Sequence, residues 1–268
     1  MRFYSLLLIL FILLTQHNVC IATINPAHIQ QGDILINKNH HQWYTVHILA
    51  LEKNEQQHNI AHSIIYQAQK QKPTIGTWTR NPIASQHAQI DIDDFKEWQK
   101  LTHKKPTIRD LKGYIHYLKH AHFDRYVHFT KQNKEKIIIT SMAFDQKANN
   151  EKRQGHVNNA INLYKKAIEL YPKNTTAMEH LASLYMETDL YEDALVLFES
   201  SLYIHPNNST GQLLLGQCLM HLKRFYQAKR VFQEGLAQYP EQEALFAHYH
   251  QCAWKEQNNQ YTPRIAGL

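Results

Sequence analysis

Histidine is the side chain with the most chemical reach in this sequence, with 19 in all and twelve between residues 23 and 140. A neutral imidazole can ligate zinc or copper, and it changes charge near neutral pH. His116 and His120 stand one helical turn apart with His122 following, and His58 and His62 would share one face of a strand. A metal site needs a third or fourth ligand and supporting hydrogen bonds behind it, and no spacing in the chain supplies them. His116, His120 and His122 are therefore the alternative reading, a metal-binding or metal-handling protein, while the first expectation is no metal and no cofactor. Gln, Asn and His are abundant along the whole chain, which points to composition rather than to a site.

Nucleophilic chemistry is the second possibility. Gly32-Asp33-Ile34-Leu35 ahead of a histidine-bearing segment resembles the opening of exported cysteine hydrolases of the cell-wall type. Their reaction needs a thiol with a base in reach, yet no cysteine lies between Thr23 and Gln217, and no G-x-S-x-G elbow occurs. The chain is expected not to be an enzyme. Cys218 and Cys252 stand 34 residues apart, which on stacked helices about 8–10 Å apart is too far for a disulfide; two buried small residues are expected instead.

The elements that would carry such groups begin after a leader. Arg2 precedes an apolar run from Leu6 to Leu14, too short for a stable membrane anchor, and Cys20-Ile21-Ala22 supplies the small-residue pair of a cleavage site. Residues 1–22 therefore read as a signal peptide, and the location as exported: the periplasm or cell envelope of a bacterium, or secreted. Asn18-Val19 ahead of Cys20 does not suit lipidation. No transmembrane segment is expected once the leader is gone. At 43% hydrophobic and 19% charged, the chain is neither disordered nor low-complexity. Residues 23–140 hold 16 Lys+Arg against 10 Asp+Glu, and residues 141–268 hold 12 against 13. With no dense basic run and no RNA-binding signature, no nucleic-acid partner is expected.

A period organises the second half. Ala160, Ala194 and Ala228 are 34 residues apart, and the same step links Tyr164, Phe198 and Phe232, then Pro172, Pro206 and Pro240. Leu181-Ala182 and Leu215-Gly216 precede two of these sets, with Tyr185 and Leu219 in an aromatic-type place. Small residues let paired helices approach, aromatics fill the space between repeats, and proline stops each second helix. This pattern resembles the tetratricopeptide-repeat family over residues 141–256: repeats 141–174, 175–208 and 209–242, a capping helix 243–256, and a tail 257–268. The first repeat departs from it, with Lys147-Ala148 for the L-G pair and Glu151 for the aromatic, and His250 replaces the small residue of the fourth unit.

The resemblance implies an all-α solenoid of three helix pairs plus a terminal helix, whose first helices line a concave groove for a protein or peptide partner. Its groove-facing places fall on Asn149, Arg153, Ser183, Met186, Gln217, Met220 and His221. The carboxylate clamp of some members is not matched: Asp145, His180 and Leu214 stand where Lys, Asn and Arg belong, and an aspartate repels a carboxylate. Residues 23–140 read as a small α+β domain. Strands are expected over Gly32–Ile36, Trp43–Leu51 and His58–Tyr66, with shorter ones over Thr74–Thr79 and Ala88–Ile92. Helices are expected over Phe95–Leu101 and Ile108–His120.

The whole reads as an exported, non-catalytic scaffold or adaptor of unassigned oligomeric state. Mass spectrometry of protein recovered from envelope fractions should find Thr23 as the first residue. Intact Met1 there would rule out cleavage, and recovery from the cytosol alone would rule out export.

Overall fold

The computed structural model describes residues 23–54 and 56–261; the expected leader and most of the tail lie outside the described residues. The chain forms two compact units that divide between Tyr117 and Leu118.

The first unit is built on a five-stranded antiparallel sheet: β1 (Asp33–Asn39), β2 (Gln42–Lys53), β3 (Asn59–Gln69), β4 (Ile83–Asp91) and β5 (Gln99–His103), in the order β4-β3-β2-β1-β5. The β1–β2 turn is a two-residue loop, with His40 at φ 45° and His41 at φ 66°. Both are left-handed, the geometry whose twist matches the flanking strands. β-Branched residues crowd β1 to β3 and pack well on a pleated surface. One face buries Leu35, Val46, Ile48 and Ala61 with Ile29 and Phe95; Ile34, Ile36, His47 and Ile64 are buried as well. The strand expected over Thr74–Thr79 is instead a turn leading into a 3-10 helix at Trp78–Arg80. There Thr77 Oγ1 accepts from Thr74 N at 2.9 Å and Thr74 O accepts from Thr77 N at 3.0 Å, local bonds that compete with a ladder. The helix expected over Phe95–Leu101 is likewise replaced by a 3-10 turn, Ile92–Phe95, and then β5. β5 pairs with β1 from Ile36–Gln99 to Asp33–His103, a long-range ladder that overrides the local pattern. α1 (Lys112–Ala121) follows and runs across the boundary between the units.

The second unit is helical: α2 (Phe123–Thr130), α3 (Lys134–Arg153), α4 (Val157–Leu170), α5 (Thr175–Glu187), α6 (Tyr191–Ile204), α7 (Ser209–His221), α8 (Phe225–Gln238) and α9 (Glu243–Tyr261). The period of 34 governs the backbone as well as the side chains. The turns inside the three pairs place Gly155, Asp189 and Lys223 at φ 79°, 59° and 57°. Asn174 and Asn208 cap α5 and α7, each accepting from the N–H three residues on at 3.0 Å. Each also reaches back to the first helix of the preceding pair: Asn174 Nδ2 donates to Ser141 Oγ at 2.8 Å, and Asn208 Nδ2 to Glu179 Oε1 at 2.7 Å. Ala160, Ala194, Ala228, Tyr164, Phe198 and Phe232 are all fully buried in one continuous core. α2 and the first two turns of α3 precede the expected repeat start, and α3 is correspondingly longer than its counterparts.

Phe232 fixes how closely α7 and α8 approach. A Cβ on Gly216 would lie 2.2 Å from the Phe232 ring, and one on Gly235 would lie 2.2 Å from the Phe246 ring. Gly216→Ala should destabilise the chain by about 1–3 kcal/mol through overpacking, outweighing alanine's helix preference of about 1 kcal/mol. A circular dichroism melt of the full chain reads this directly: an unchanged or raised midpoint would mean that the ring moves aside freely.

Candidate functional site

The first helices of successive pairs, α3, α5, α7 and then α9, touch one another in sequence. They stack side by side as one layer of the repeat unit. Of the residues expected to face a groove, Arg153 is exposed, while Asn149, Ser183 and Gln217 are half-buried. Met186 and Met220 are half-buried against the repeat core. His221 is exposed, its ring stacked on Tyr191 at 4.7 Å and 8°.

Asn149 is part of a network between the first two repeats. Burial first, then the Asp145 carboxylate, push the Tyr164 phenol up to about 12. It therefore stays protonated and donates to Asn149 Oδ1 at 2.9 Å. That bond turns the Asn149 amide group toward Asp145 O, at 3.2 Å. His180 Nδ1 lies 2.9 Å from Asp145 Oδ1 and 3.3 Å from Asn149 Nδ2. Of these two partners only the carboxylate can accept, so Nδ1–H faces Asp145 from a ring whose side chain is 40% exposed. Above this network opens a pocket of about 230 Å³ lined by Ile138, Met142, Asp145, Gln146, Tyr171, Lys173, Asn174, Thr175 and Thr176. Sequence reasoning found Asn149 by its place in the repeat. It missed Ile138, which lies ahead of the first repeat, and the pairing of His180 with Asp145.

Histidines of the first unit are used inside it. Asp33 is fully buried, with Oδ1 2.6 Å from Lys100 Nζ and 2.9 Å from His103 Nδ1. Burial pushes its carboxyl up, but the bonds from Lys100 and His103 outweigh that and hold it below the usual range. Gly32, at φ 96°, leaves room for the His103 ring, 2.9 Å from where a Cβ would sit. The Gly-Asp pair thus seats the edge strand β5. His47 is buried, and its Nε2–H donates to Lys104 O at 2.8 Å.

A second line runs across β2, β3 and β4. Glu52 Oε1 lies 2.6 Å from His62 Nε2, and His62 Nδ1 lies 2.7 Å from His87 Nε2. Tyr117 stacks on His87 at 4.5 Å, and Tyr114 lies 4.7 Å from His62. His58 does not join His62 on a strand face: it precedes β3, is exposed, and lies 3.7 Å from Asp91.

His116 and His120 sit on α1, and His122 caps α2. Among the described residues no group of three or more His, Cys, Asp or Glu is placed to hold a metal ion. A larger, shallower cavity of about 950 Å³ includes His120 and His122 with Val196 and Tyr203 of α6. Cys218 is buried, its thiol pushed up to about 11 chiefly by burial, whereas Cys252 is half-buried rather than buried as expected, 3.8 Å from His248 Nε2. No described helix is long and apolar enough to cross a membrane.

A family model described as tetratricopeptide repeat matches residues 153–199 and 189–248. No curated protein gives a significant match. Among solved structures, the first TPR of Spaghetti (RPAP3) bound to the HSP90 peptide SRMEEVD is similar at 17% identity and a TM-score of 0.41, covering 44% of this chain and 93% of that one. The Arabidopsis OM64 TPR domain is similar at 23% identity and 0.41, covering 44% and 98%. The Sgt2 TPR domain from Aspergillus fumigatus is similar at 18% identity and 0.43, covering 48% and 87%.

The His62–His87 pair makes the first unit sensitive to acid. Burial and the neighbouring His62 lower His87 from 6.5 to about 4, against the opposing pull of Glu52. Between those values the unfolded chain binds a proton that the fold refuses, so stability present above pH 6.5 is lost as pH falls toward 4. The loss should be on the order of 1–3 kcal/mol. Trp43, Trp78 and Trp98 report on this unit, with Trp254 alone in the other. Urea melts followed by tryptophan fluorescence at several pH values should show the slope, and His87→Gln should flatten it; an equal slope in the variant would place the acid sensitivity elsewhere.

Proposed function

Taking residues 153–248 as tetratricopeptide repeats, we propose that this chain is an exported, non-catalytic scaffold that holds a peptide segment of another protein along its concave wall. The observation that supports the reading is the continuous layer of α3, α5, α7 and α9, with a pocket opening beside α3 and the start of α5. Arg153 and His221 are exposed and in this reading are the side chains that meet the ligand. Ser183, Gln217, Met186 and Met220 are half-buried and in this reading form the floor, with Asn149 bonded to Tyr164 and Asp145. Helical repeats of this kind bind by presenting a preformed surface, so affinity does not require refolding of the scaffold.

The first unit contributes no thiol, since no cysteine lies between Thr23 and Gln217. Its buried Asp33 and His62 are each bound to neighbours within the unit. In this reading it is a folded module attached to the scaffold.

Peptides selected from a displayed library on the full chain should lose at least about tenfold in affinity to the Arg153→Ala/His221→Ala double variant, a change of roughly 1.4 kcal/mol or more. The melt should shift by less than about 1 kcal/mol, since one side chain is solvated and the other gives up a single exposed ring stack. Undiminished binding by this variant would move the site off the concave wall.

A further inference from the structure

Two loops of the first unit repeat one another. Lys72-Pro73-Thr74-Ile75 follows β3, and Lys105-Pro106-Thr107-Ile108 follows β5. In each the proline is buried and the isoleucine stands out, Ile75 at 69% exposed and Ile108 at 75%. The turns are built alike. Thr74 N–H donates to Thr77 Oγ1 at 2.9 Å, and Thr107 N–H to Asp110 Oδ2 at 2.8 Å. Thr74 O accepts from Trp78 N at 3.1 Å, and Thr107 O from Leu111 N at 3.1 Å. A buried proline with fixed φ and a capped turn hold each isoleucine outward.

Both loops cover the same face of the sheet. Trp78, just after the first turn, packs edge-on against His47 at 5.7 Å and Tyr66 at 5.5 Å. Lys104, just before the second, takes the His47 Nε2–H on its carbonyl at 2.8 Å, and its Nζ lies 5.6 Å from the centre of the Trp78 ring. Ile75 and Ile108 therefore stand on one side of the sheet.

That side is cationic. Residues 70–80 carry Lys70, Lys72 and Arg80 with no acid, and residues 103–112 carry Lys104, Lys105, Arg109 and Lys112 with Asp110 alone. All seven cations are exposed, and among the described residues none is in an ion pair. Asp110 is occupied by Thr107, whose N–H and Oγ1–H reach it at 2.8 and 2.7 Å. Asp93, Asp94 and Glu97 flank Phe95, whose ring is buried with Val46 and Ile48. Those two residues point away from His47, to the opposite face, so the acids stand behind the sheet from the two tips.

We infer that the face bearing Ile75 and Ile108 docks on an anionic membrane surface. The aliphatic tips enter the boundary between headgroups and acyl chains while the surrounding lysines and arginines meet lipid phosphates. A folded acidic partner would need a fitted hollow for each protruding tip, whereas a lipid interface admits one anywhere. This docking is independent of the groove and leaves the helical unit free to hold its own ligand.

Vesicle flotation tests it with the chain from Thr23 onward, so that the apolar Leu6–Leu14 run does not itself seek lipid. Vesicles of equal parts phosphatidylglycerol and phosphatidylcholine should bind at least about tenfold more tightly than phosphatidylcholine alone, with the margin shrinking as salt is raised. Ile75→Ser with Ile108→Ser should weaken binding to the mixed vesicles by at least about tenfold. Lys70→Gln with Lys105→Gln and Arg109→Gln should do the same, and circular dichroism should show both variants folded, since every substituted position is exposed. Arg153→Ala with His221→Ala should leave lipid binding unchanged. No binding to the mixed vesicles, or equal binding to both kinds, would overturn the inference. So would binding that the isoleucine pair does not affect, or that soluble polyglutamate of equal charge displaces as well as lipid does, which would point to an acidic macromolecule. None of these outcomes bears on the groove reading.

Discussion

Each repeat of the second unit closes around one contact, an aromatic ring of the second helix pressed against small side chains on its neighbours. Tyr164, Phe198 and Phe232 are fully buried at the same place in three successive pairs, and the clearance at Gly216 is small enough that a single methyl would collide with the Phe232 ring. Interiors packed at this density transmit displacement instead of absorbing it. The spacing of α7 and α8 is therefore set by that ring, and the inner helices inherit their positions from the sum of such spacings. The spacing of the first helices is a consequence of the core packing behind them.

Much of this was legible because the repeat writes its tertiary contacts as a sequence interval. Ala160, Ala194 and Ala228 mark a small-residue place wherever the period puts them, and proline at 172, 206 and 240 punctuates the same register. The first unit offered no such interval. Phe95–Leu101 has a helical look in isolation, yet Gln99–His103 completes a ladder with Asp33–Ile36 some seventy residues earlier, and no local window contains both partners. At the groove, position in the repeat pointed to Asn149. That its amide is turned by Tyr164 and that His180 leans on Asp145 depends on which neighbouring helix each side chain meets, and spacing along one chain does not carry that.

The histidines show the same division between composition and placement. Twelve in one stretch suggest metal chemistry, but His47, His62 and His103 are each committed to a carbonyl, a carboxylate or another imidazole within the sheet. Burial favours the neutral ring, and a neutral imidazole can donate at one nitrogen and accept at the other. In a sheet whose two faces are both covered, that makes histidine a means of satisfying polar neighbours where lysine or glutamate would demand a counter-charge. Asp33 is the exception that keeps its charge, and it does so with Lys100 and His103 both drawn onto one oxygen.

The cap asparagines give the stack a direction. Asn174 closes the start of its own helix and reaches Ser141 on the first helix of the preceding pair, and Asn208 does the same toward Glu179. In both cases the partner lies upstream. A repeat emerging from the ribosome thus meets a partner already synthesised, and the cap bond forms without waiting for sequence still to come. Assembly of the solenoid is in this sense written from the N-terminal end. Shortening the stack from its C-terminus leaves every remaining cap complete, whereas removing α3 strips Asn174 of its second bond.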